Sequence, residues 1–310
     1  MSVNYSLIFP VFNEQENIPE LYKRVKQIAV QLKPSLEIIF VNDGSTDNTK
    51  KMITVLCSKD SRVRLINFSR NFGHQIAVSA GINYASGKNL AILDADLQDP
   101  PEMLIRFFKK LESGYDVVYA VRRDRKESWW LKSCYTAFYR LLSLVANINI
   151  PLDSGDFCVM NSRFADILKS LPERNRFVRG LRSWVGFRQI GLEYDRAARF
   201  GGKSKYSLKK LFGLAFNGIF SFSYLPLQML TAFGFIFFGL SLIFSLLVIY
   251  VRLFTSFFVP GFATTIILIL FTSGLNMLSL GLVGEYVGRI YDEVKQRPLY
   301  IVESKIGFKD

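Results

Sequence analysis

The sequence predicts an α/β fold class with a mainly parallel sheet, followed by interfacial amphipathic helices and two transmembrane helices. The first observation is the alternation of short apolar runs with helix-like segments up to about residue 121. The second is the uneven charge: between residues 225 and 288 the only charged side chains are Arg252 and Glu285. This composition excludes a disordered or collagen-like chain.

Five apolar runs are predicted as strands: residues 5–11, 37–41, 63–68, 90–93 and 116–121. Four segments between them are predicted as helices: residues 16–32, 47–58, 75–85 and 101–112. Such β–α alternation predicts a parallel sheet with helices on both faces, which binds ligands at the carboxyl ends of its strands. Because no basic region precedes the first apolar run, we interpret that run as a strand and not as a signal peptide.

The second part of the sequence has the pattern of membrane-associated helices. Residues 128–146 and 204–223 carry aromatic, apolar and basic residues at helical spacing, which is typical of helices lying in the membrane interface. An ordinary amphipathic helix packed on its own domain is the alternative for the first segment. Residues 227–250 and 264–287 are each long and apolar enough for a bilayer span, and two buried core helices are the alternative.

Basic residues lie before the first predicted span and after the second, at the two ends that a pair of spans places on the same side of the membrane. They are Lys203, Lys205, Lys209 and Lys210 before the first span, and Arg289, Lys295 and Arg297 after the second. The positive-inside rule therefore predicts a multi-pass protein of the plasma (inner) membrane whose N-terminal domain and C-terminal tail are both cytoplasmic. The expected organisation is a cytoplasmic domain (1–203), an interfacial helix (204–223), a two-helix transmembrane domain (224–290) and a tail (291–310).

The chain is basic, with 39 Lys+Arg against 26 Asp+Glu and a formal net charge of +13. An anionic lipid surface is the expected partner. Nucleic acid is not expected, because no recognition helix, zinc spacing or single-strand aromatic motif is present. The 3 cysteines are too few and too dispersed for a disulfide framework or a zinc site. Glycines in the predicted spans would permit close helix packing, so a homo-oligomer is expected: Gly234, Gly239, Gly274 and Gly281.

Two carboxylates follow the fourth predicted strand. Asp94 and Asp96 are separated by one residue, so both side chains can point to one side of the chain. A pair of this kind can share a hard divalent cation with a diphosphate, and the cation neutralises charge that builds on a leaving group.

The first two strands also end in short polar residues, at 10–14 and 42–47. Asp43 could accept hydrogen bonds from a base or a ribose, and Phe12 could cover a base. Neither loop has the glycine spacing of a dinucleotide fingerprint or a P-loop, so phosphates are expected to be held by a metal and arginines. The alternative is that Asp43 and Asp47 only cap a turn and a helix. His74, the chain's only histidine, begins a helix and either contacts the nucleotide or makes a helix-start hydrogen bond.

Residues 10–14, 42–47, 94–101 and 153–157 together resemble the inverting family 2 glycosyltransferases of the GT-A fold, a Rossmann-like arrangement. The resemblance is closest to the polyprenyl-phosphate branch, which includes dolichol-phosphate mannosyltransferases and bactoprenol glucosyltransferases. It implies a hexosyltransferase that uses a nucleotide sugar, a polyprenyl phosphate acceptor, and Mg²⁺ or Mn²⁺.

The resemblance also implies roles for single residues. Those expected to bind the nucleotide sugar are Pro10, Phe12, Glu14, Asp43, Ser45, Gln75, Asp94, Ala95, Asp96 and Arg122. The expected metal ligands are Asp96, Asp94 and Gln98. Asp156 matches the acidic residue beside the acceptor, where it is either a general base or a group that orients the acceptor or the metal site. The alternative is that Asp156 only caps a helix or a turn.

A basic loop at residues 196–206, before the second interfacial segment, is expected to meet the lipid phosphate; a solvated charged face is the alternative. The residues expected to bind this phosphate are Arg199, Lys203 and Lys205 of the loop and Arg140 of the first interfacial segment. The chain departs from processive synthases of the same fold, since residues 179–184 do not match their Gln-x-x-Arg-Trp motif, and a single transfer is therefore expected.

The sequence thus predicts transfer of one hexose, preferably glucose from UDP-glucose, to undecaprenyl or another polyprenyl phosphate at the cytoplasmic leaflet, with inversion. GDP-mannose or another UDP-sugar is the alternative donor. A non-enzymatic protein that binds or translocates glycolipids is the alternative of a different class.

Overall fold

A computed structural model describes residues 3–32, 35–122, 154–174, 176–195, 225–254 and 261–308. The strands are β1 (Tyr5–Val11), β2 (Leu36–Asn42), β3 (Val63–Phe68), β4 (Asn89–Ile92), β5 (Val117–Arg122), β6 (Ser154–Asn161), β7 (Gln189–Tyr194) and β8 (Val302–Ile306). The helices are α1 (Ile18–Gln31), α2 (Thr49–Lys59), α3 (His74–Tyr84), α4 (Met103–Glu112), α5 (Ser162–Ser170), α6 (Val178–Val185), α7 (Leu225–Phe254) and α8 (Phe262–Val294).

The described strands form one sheet in the order β7-β5-β6-β4-β1-β2-β3-β8. Its centre is parallel: β1 pairs with β2 and β4, and β2 pairs with β3. The strand β6 runs antiparallel between β4 and β5, and β8 runs antiparallel on the edge beside β3. The mainly parallel α/β sheet is therefore confirmed.

Helices cover both faces of the sheet, because its central strands are apolar on both sides. One buried cluster joins strand residues such as Leu7 to α1, α2 and α4, and the other joins residues such as Ile8 to α3, α5 and α6. Successive strand residues point to opposite faces, so an unbroken apolar run supplies both clusters. This arrangement leaves the carboxyl ends of the strands as the place where polar residues collect.

All five predicted strands and four predicted helices of the N-terminal part are confirmed, with ends that differ by at most two residues. The sequence analysis did not predict β6, β7, β8, α5 or α6. The strand β8 comes from the C-terminal residues that were expected to form a tail. It alternates half-buried and exposed residues, which suits an edge strand with one face on the core.

The two long apolar segments are helical, as α7 and α8. In the part of the chain that the structure describes, however, no helix combines the length and the apolarity that crossing a bilayer demands. The two predicted transmembrane spans are therefore unconfirmed. The predicted interfacial segments, 128–146 and 204–223, lie outside the described residues.

Candidate active site

Polar side chains meet where β1, β2 and β4 end and α3 begins. The strand β6 runs antiparallel to β4, so its first residues, which include Asp156, lie at the same edge of the sheet. This carboxyl group lies opposite His74, the first residue of α3, and His74 also faces Asp94 after β4. The structure therefore brings together side chains that are far apart in the sequence.

Asp156 is the centre of this cluster. Arg179 on α6 donates from Nε to Oδ1 at 2.8 Å and from Nη2 to Oδ2 at 3.3 Å. Gln75 donates from Nε2 to Oδ2 at 2.9 Å, and its Oε1 accepts the backbone N–H of Val178 at 2.9 Å. Gln75, expected to bind the nucleotide sugar, thus holds the catalytic carboxylate candidate and ties α3 to the start of α6.

The surroundings of Asp156 favour its ionised form. Burial by itself would raise the pKa of this carboxyl group, but the Arg179 guanidinium and His74 hold the pKa well below its usual range. Asp156 is therefore a carboxylate at neutral pH.

His74 lies between two carboxylates. Its Nε2 is 3.4 Å from Asp156 Oδ2 and 3.5 Å from Asp94 Oδ1. Burial acts to lower the pKa of His74, but Asp94 and Asp156 outweigh it and raise the pKa to about 9. The imidazole is therefore protonated at neutral pH and bridges the two acidic residues, a role that neither of the sequence-based alternatives included.

Asp94 and Asp96 lie where the fourth strand ends, as expected. Burial raises the pKa of Asp94 to about 6 against the opposing effect of His74, and the nearby carboxylates of Asp99, Asp156 and Asp96 add to the rise. Asp94 Oδ1 is buried and accepts no hydrogen bond from the described residues. Leu97 follows with a φ of 60°, so the chain turns sharply directly after Asp96.

These residues fit a hard divalent cation. Crowded carboxylates repel one another, and Asp94 Oδ1, which lies 3.5 Å from His74 Nε2 but accepts no hydrogen bond from the described residues, is an oxygen that a cation would satisfy. Across the described residues, no group of three or more His, Cys, Asp or Glu side chains is arranged to hold a metal ion. The remaining ligands of a cation held by Asp94 and Asp96 would then come from other groups, such as Gln98, water or phosphate oxygens.

Asp43 fixes the loop that leads to His74. Its Oδ1 accepts the backbone N–H of Phe72 at 2.7 Å, and its Oδ2 accepts that of Gly73 at 3.0 Å. Burial raises the pKa of Asp43, and these two N–H groups oppose the rise. Asp43 was predicted to bind a base or a ribose, with stabilisation of a turn as the alternative. The hydrogen bonds in the structure are of the turn-stabilising kind, and they hold the residues that directly precede His74.

The loops after β1 and β2 hold each other. Ser45 Oγ accepts the Asn13 N–H at 2.9 Å, and Asn13 Oδ1 accepts the Thr46 N–H at 2.8 Å. Gly44, which directly precedes Ser45, has a φ of 68°, and an added Cβ would lie 2.5 Å from the Arg70 backbone carbonyl carbon. Asp47 accepts the Thr49 N–H at 2.9 Å at the start of α2, which agrees with the helix-cap alternative.

The other predicted nucleotide-binding residues lie along the same edge of the sheet. Pro10 is buried within β1, Phe12 and Glu14 lie in the loop that follows it, Ala95 is buried between the two carboxylates, and Arg122 ends β5. The four predicted lipid-phosphate residues, Arg140, Arg199, Lys203 and Lys205, lie outside the described residues.

Sequence analysis missed Arg179 and Arg182, which lie one helical turn apart on α6. Arg182 is 1% exposed, lies 4.7 Å above the Tyr119 ring, and donates from Nη1 to the Gly155 carbonyl at 3.4 Å. Their i, i+3 spacing places both on one helix face, which was the available signal.

Comparison with known proteins decides the family. Residues 6–168 match the family model described as glycosyl transferase family 2. The chain belongs to glycosyl transferase family 2. The predicted enzyme class, a glycosyltransferase, and the predicted α/β, GT-A-like fold are confirmed.

Curated relatives match this family 2 chain over nearly its whole length. An uncharacterized glycosyltransferase of Bacillus subtilis (strain 168) is 46% identical over 309 residues, covering 99% of this chain and 96% of that protein. The bactoprenol glucosyl transferase of Shigella phage SfII is 41% identical over 301 residues, covering 96% and 97%. Among solved structures, glucosyl-3-phosphoglycerate synthase from Mycobacterium tuberculosis aligns with a TM-score of 0.48 at 16% identity, covering 70% of this chain and 78% of that one.

Proposed function

We propose that this family 2 glycosyltransferase transfers one hexose, preferably glucose from UDP-glucose, to undecaprenyl or another polyprenyl phosphate, with inversion at the anomeric carbon. The relatives named bactoprenol glucosyl transferase, at about 40% identity over nearly the whole chain, support a lipid-linked acceptor. Family membership decides against the alternative of a non-enzymatic glycolipid-binding protein.

The observation that carries the proposal is the cluster of Asp94, Asp96, His74, Asp156 and Arg179 at one edge of the sheet. Carboxylates beside an imidazolium and a guanidinium can meet a metal-bound diphosphate on one side and an anionic acceptor on the other. An acceptor that is already an anion needs no proton removed before it attacks.

A divalent cation, Mg²⁺ or Mn²⁺, would be held by Asp94 and Asp96, with Gln98 as a further candidate ligand. When bound, it would neutralise the charge that develops on the departing nucleoside diphosphate. The loops after β1 and β2 would bind the nucleotide, because they form the part of the same edge that lies next to the two carboxylates.

Asp156, Arg179 and His74 would receive the acceptor. Arg179 and His74 offset the negative charge of Asp156, so a phosphate can approach this carboxylate without meeting an unbalanced anion. These residues would contribute most to the rate by holding the acceptor oxygen in line with the anomeric carbon.

We further propose that α7 and α8 hold the enzyme at the plasma (inner) membrane, with the catalytic domain and both termini cytoplasmic. Large apolar side chains stand exposed on both helices, for example Phe235 at 73% and Met277 at 70%, and lipid is a suitable environment for them. A homo-oligomer is part of the proposal, because an added Cβ at Gly234 or Gly281 would meet nothing within 4 Å.

The test is transfer of radiolabel from a panel of nucleotide sugars to polyprenyl phosphate by the purified full-length protein with Mg²⁺ or Mn²⁺. UDP-glucose should label the lipid fraction, and Asp96→Asn should abolish labelling. Asp166→Asn is the matched control, because this exposed carboxylate on α5 only pairs with Lys169 at 3.0 Å. Label in lipid from GDP-mannose or another UDP-sugar alone would correct the donor, and no label from any donor would refute the proposed reaction.

A further inference from the structure

A chain of hydrogen bonds connects the C-terminal strand to the two loops proposed to bind the nucleotide. It runs through Ser304, Asn67, Asn42, Ser45 and Asn13, which we call the polar relay. Asn67 Nδ2 donates to Ser304 Oγ at 2.9 Å, and Asn42 Nδ2 donates to Asn67 Oδ1 at 3.0 Å. The Ser45 N–H donates to Asn42 Oδ1 at 3.1 Å, and the Asn13 N–H donates to Ser45 Oγ at 2.9 Å.

The sheet register explains why these side chains meet. Asn42 is paired with Asn67 across β2 and β3, and Asn67 is paired with Ser304 across β3 and β8. Residues opposite each other on neighbouring strands share a face, so the two amides and the hydroxyl lie side by side. The pairing of β3 with β8 becomes irregular directly after Asn67.

Both amides are in the interior: Asn67 is 0% and Asn42 is 2% exposed. A buried amide group is costly unless its donors and acceptors are paired. Turning over the Asn67 amide would set its NH₂ group against that of Asn42, so the orientation of one amide determines the orientation of the other. The direction of the polar relay is set by the Ser45 N–H, which can only donate, and the hydroxyl of Ser304 is the acceptor that satisfies the last amide donor, that of Asn67.

The far end of the polar relay lies in the nucleotide loops. The Ser45 amide is held by Asn42, and Ser45 in turn holds the amide of Asn13. The loops after β1 and β2 are thus positioned partly by a strand that lies more than 250 residues later in the chain. Neither Asn67 nor Ser304 is among the residues expected to contact the donor.

The C-terminal segment that carries Ser304 is itself firmly bound to the domain. The Tyr300 ring stacks on Phe68 with centroids 5.0 Å apart, and the Ser69 N–H donates to the Ile301 carbonyl at 3.0 Å. At the end of α8, Glu293 Oε1 accepts the Arg174 N–H at 2.7 Å. The strand β8 therefore has a fixed place from which it can position the polar relay.

We infer that Ser304 and Asn67 are positioning residues for the donor-binding loops, and that docking of the C-terminal strand sets the donor affinity of the enzyme. This inference rests on the proposed function, because it requires that the loops after β1 and β2 bind the nucleotide sugar. The C-terminal strand is then a working part of the donor site and not a tail.

The test compares Ser304→Ala with Ser304→Thr in the full-length protein. Ser304→Ala removes the acceptor of the Asn67 amide, and Ser304→Thr keeps a hydroxyl. Glu303→Gln is the matched control on the same strand: it removes the ionic partner of Lys50, which lies 2.7 Å away, and leaves the polar relay intact. Two quantities are measured: KM and kcat for the donor, and amide hydrogen exchange in residues 43–47.

Ser304→Ala should raise the donor KM by about threefold to tenfold, the equivalent of one hydrogen bond, with kcat changed less than about twofold. Exchange in residues 43–47 should become faster. Ser304→Thr should restore both quantities, and Glu303→Gln should leave both unchanged. Unchanged exchange or unchanged donor KM in Ser304→Ala, or an equal effect of Glu303→Gln, would overturn the inference. If the wild-type protein transfers no sugar, the proposed function fails, and exchange alone then decides whether the polar relay positions these loops.

Discussion

Replacing Arg179 tests the central feature of the site, the fixed position of Asp156. Arg179→Ala removes two hydrogen bonds to this carboxylate, at 2.8 and 3.3 Å. Gln75 and His74 remain, so Asp156 would keep part of its support but lose its main counter-charge. The carboxylate is then less firmly held in one position.

The structure sets the magnitude of the effect. Removing one partner of a buried ion pair costs about 3–5 kcal/mol, and removing one partner of an exposed pair costs under about 1 kcal/mol. The side chains of Arg179 and Asp156 are 20% and 7% exposed, which places this pair between the two cases. We expect a loss of about 2 kcal/mol in the free energy of unfolding, and a fall of about tenfold to a hundredfold in kcat because the acceptor is misplaced.

The assay is steady-state transfer at saturating donor, alongside urea unfolding followed by circular dichroism. Arg179→Lys should recover part of kcat, because a lysine keeps the charge but cannot donate two parallel hydrogen bonds. Arg163→Ala is the control: this exposed arginine lies 4.9 Å from the Phe187 ring and follows the end of β6 opposite to Asp156. A kcat of Arg179→Ala within about twofold of the wild type, with stability reduced, would refute a positioning role and leave Arg179 a structural residue.

Three further predictions concern other parts of the molecule. Removal of divalent cations with EDTA should abolish transfer, and added Mg²⁺ or Mn²⁺ should restore it in the wild type but not in Asp96→Asn; transfer that survives chelation would contradict metal dependence. Gly44→Ala should destabilise the protein by about 1–3 kcal/mol in urea unfolding, because its backbone has a positive φ and a Cβ would strike the Arg70 backbone. A loss below about 0.5 kcal/mol would show that neither the positive φ nor the steric clash at Gly44 matters. Burial raises the pKa of the Cys57 thiol to about 11 from 9.0, so mass-spectrometric mapping at pH 8 should show Cys57 alkylated about a hundredfold more slowly than a free thiol of pKa 9; labelling at the free-thiol rate would disprove the burial.

The parts of the fold that could be predicted from the sequence are those whose pattern is local. The strands β1 to β5 are short apolar runs between amphipathic helices, and periodicity alone identifies both. Asp94 and Asp96 could be assigned because two carboxylates directly after an apolar strand must lie at its carboxyl end. These features depend on spacing within about ten residues.

The features that sequence analysis missed depend on contacts between distant segments. Whether Arg179 faces solvent or Asp156 depends on how α6 packs against α3, and the Gln75 contact with Val178 that fixes this packing joins residues 103 apart. The strand β8 has five residues of mixed polarity, so its sequence resembles a loop. Only its pairing with β3 makes it a strand, because an edge strand is stabilised by its neighbour more than by its own composition.

The geometry around Asp156 also bears on its role, which the sequence left open between a general base and an orienting group. A general base is most effective when its pKa lies near the working pH. Burial alone would move the pKa of Asp156 in that direction, but Arg179 and His74 hold it well below the usual range, which makes this carboxylate a weak base. A phosphate acceptor has no proton that must be removed, so this weakness costs the proposed reaction nothing. The same contacts that weaken Asp156 as a base hold it in one position, and the structure therefore favours an orienting role for Asp156 in the proposed transfer.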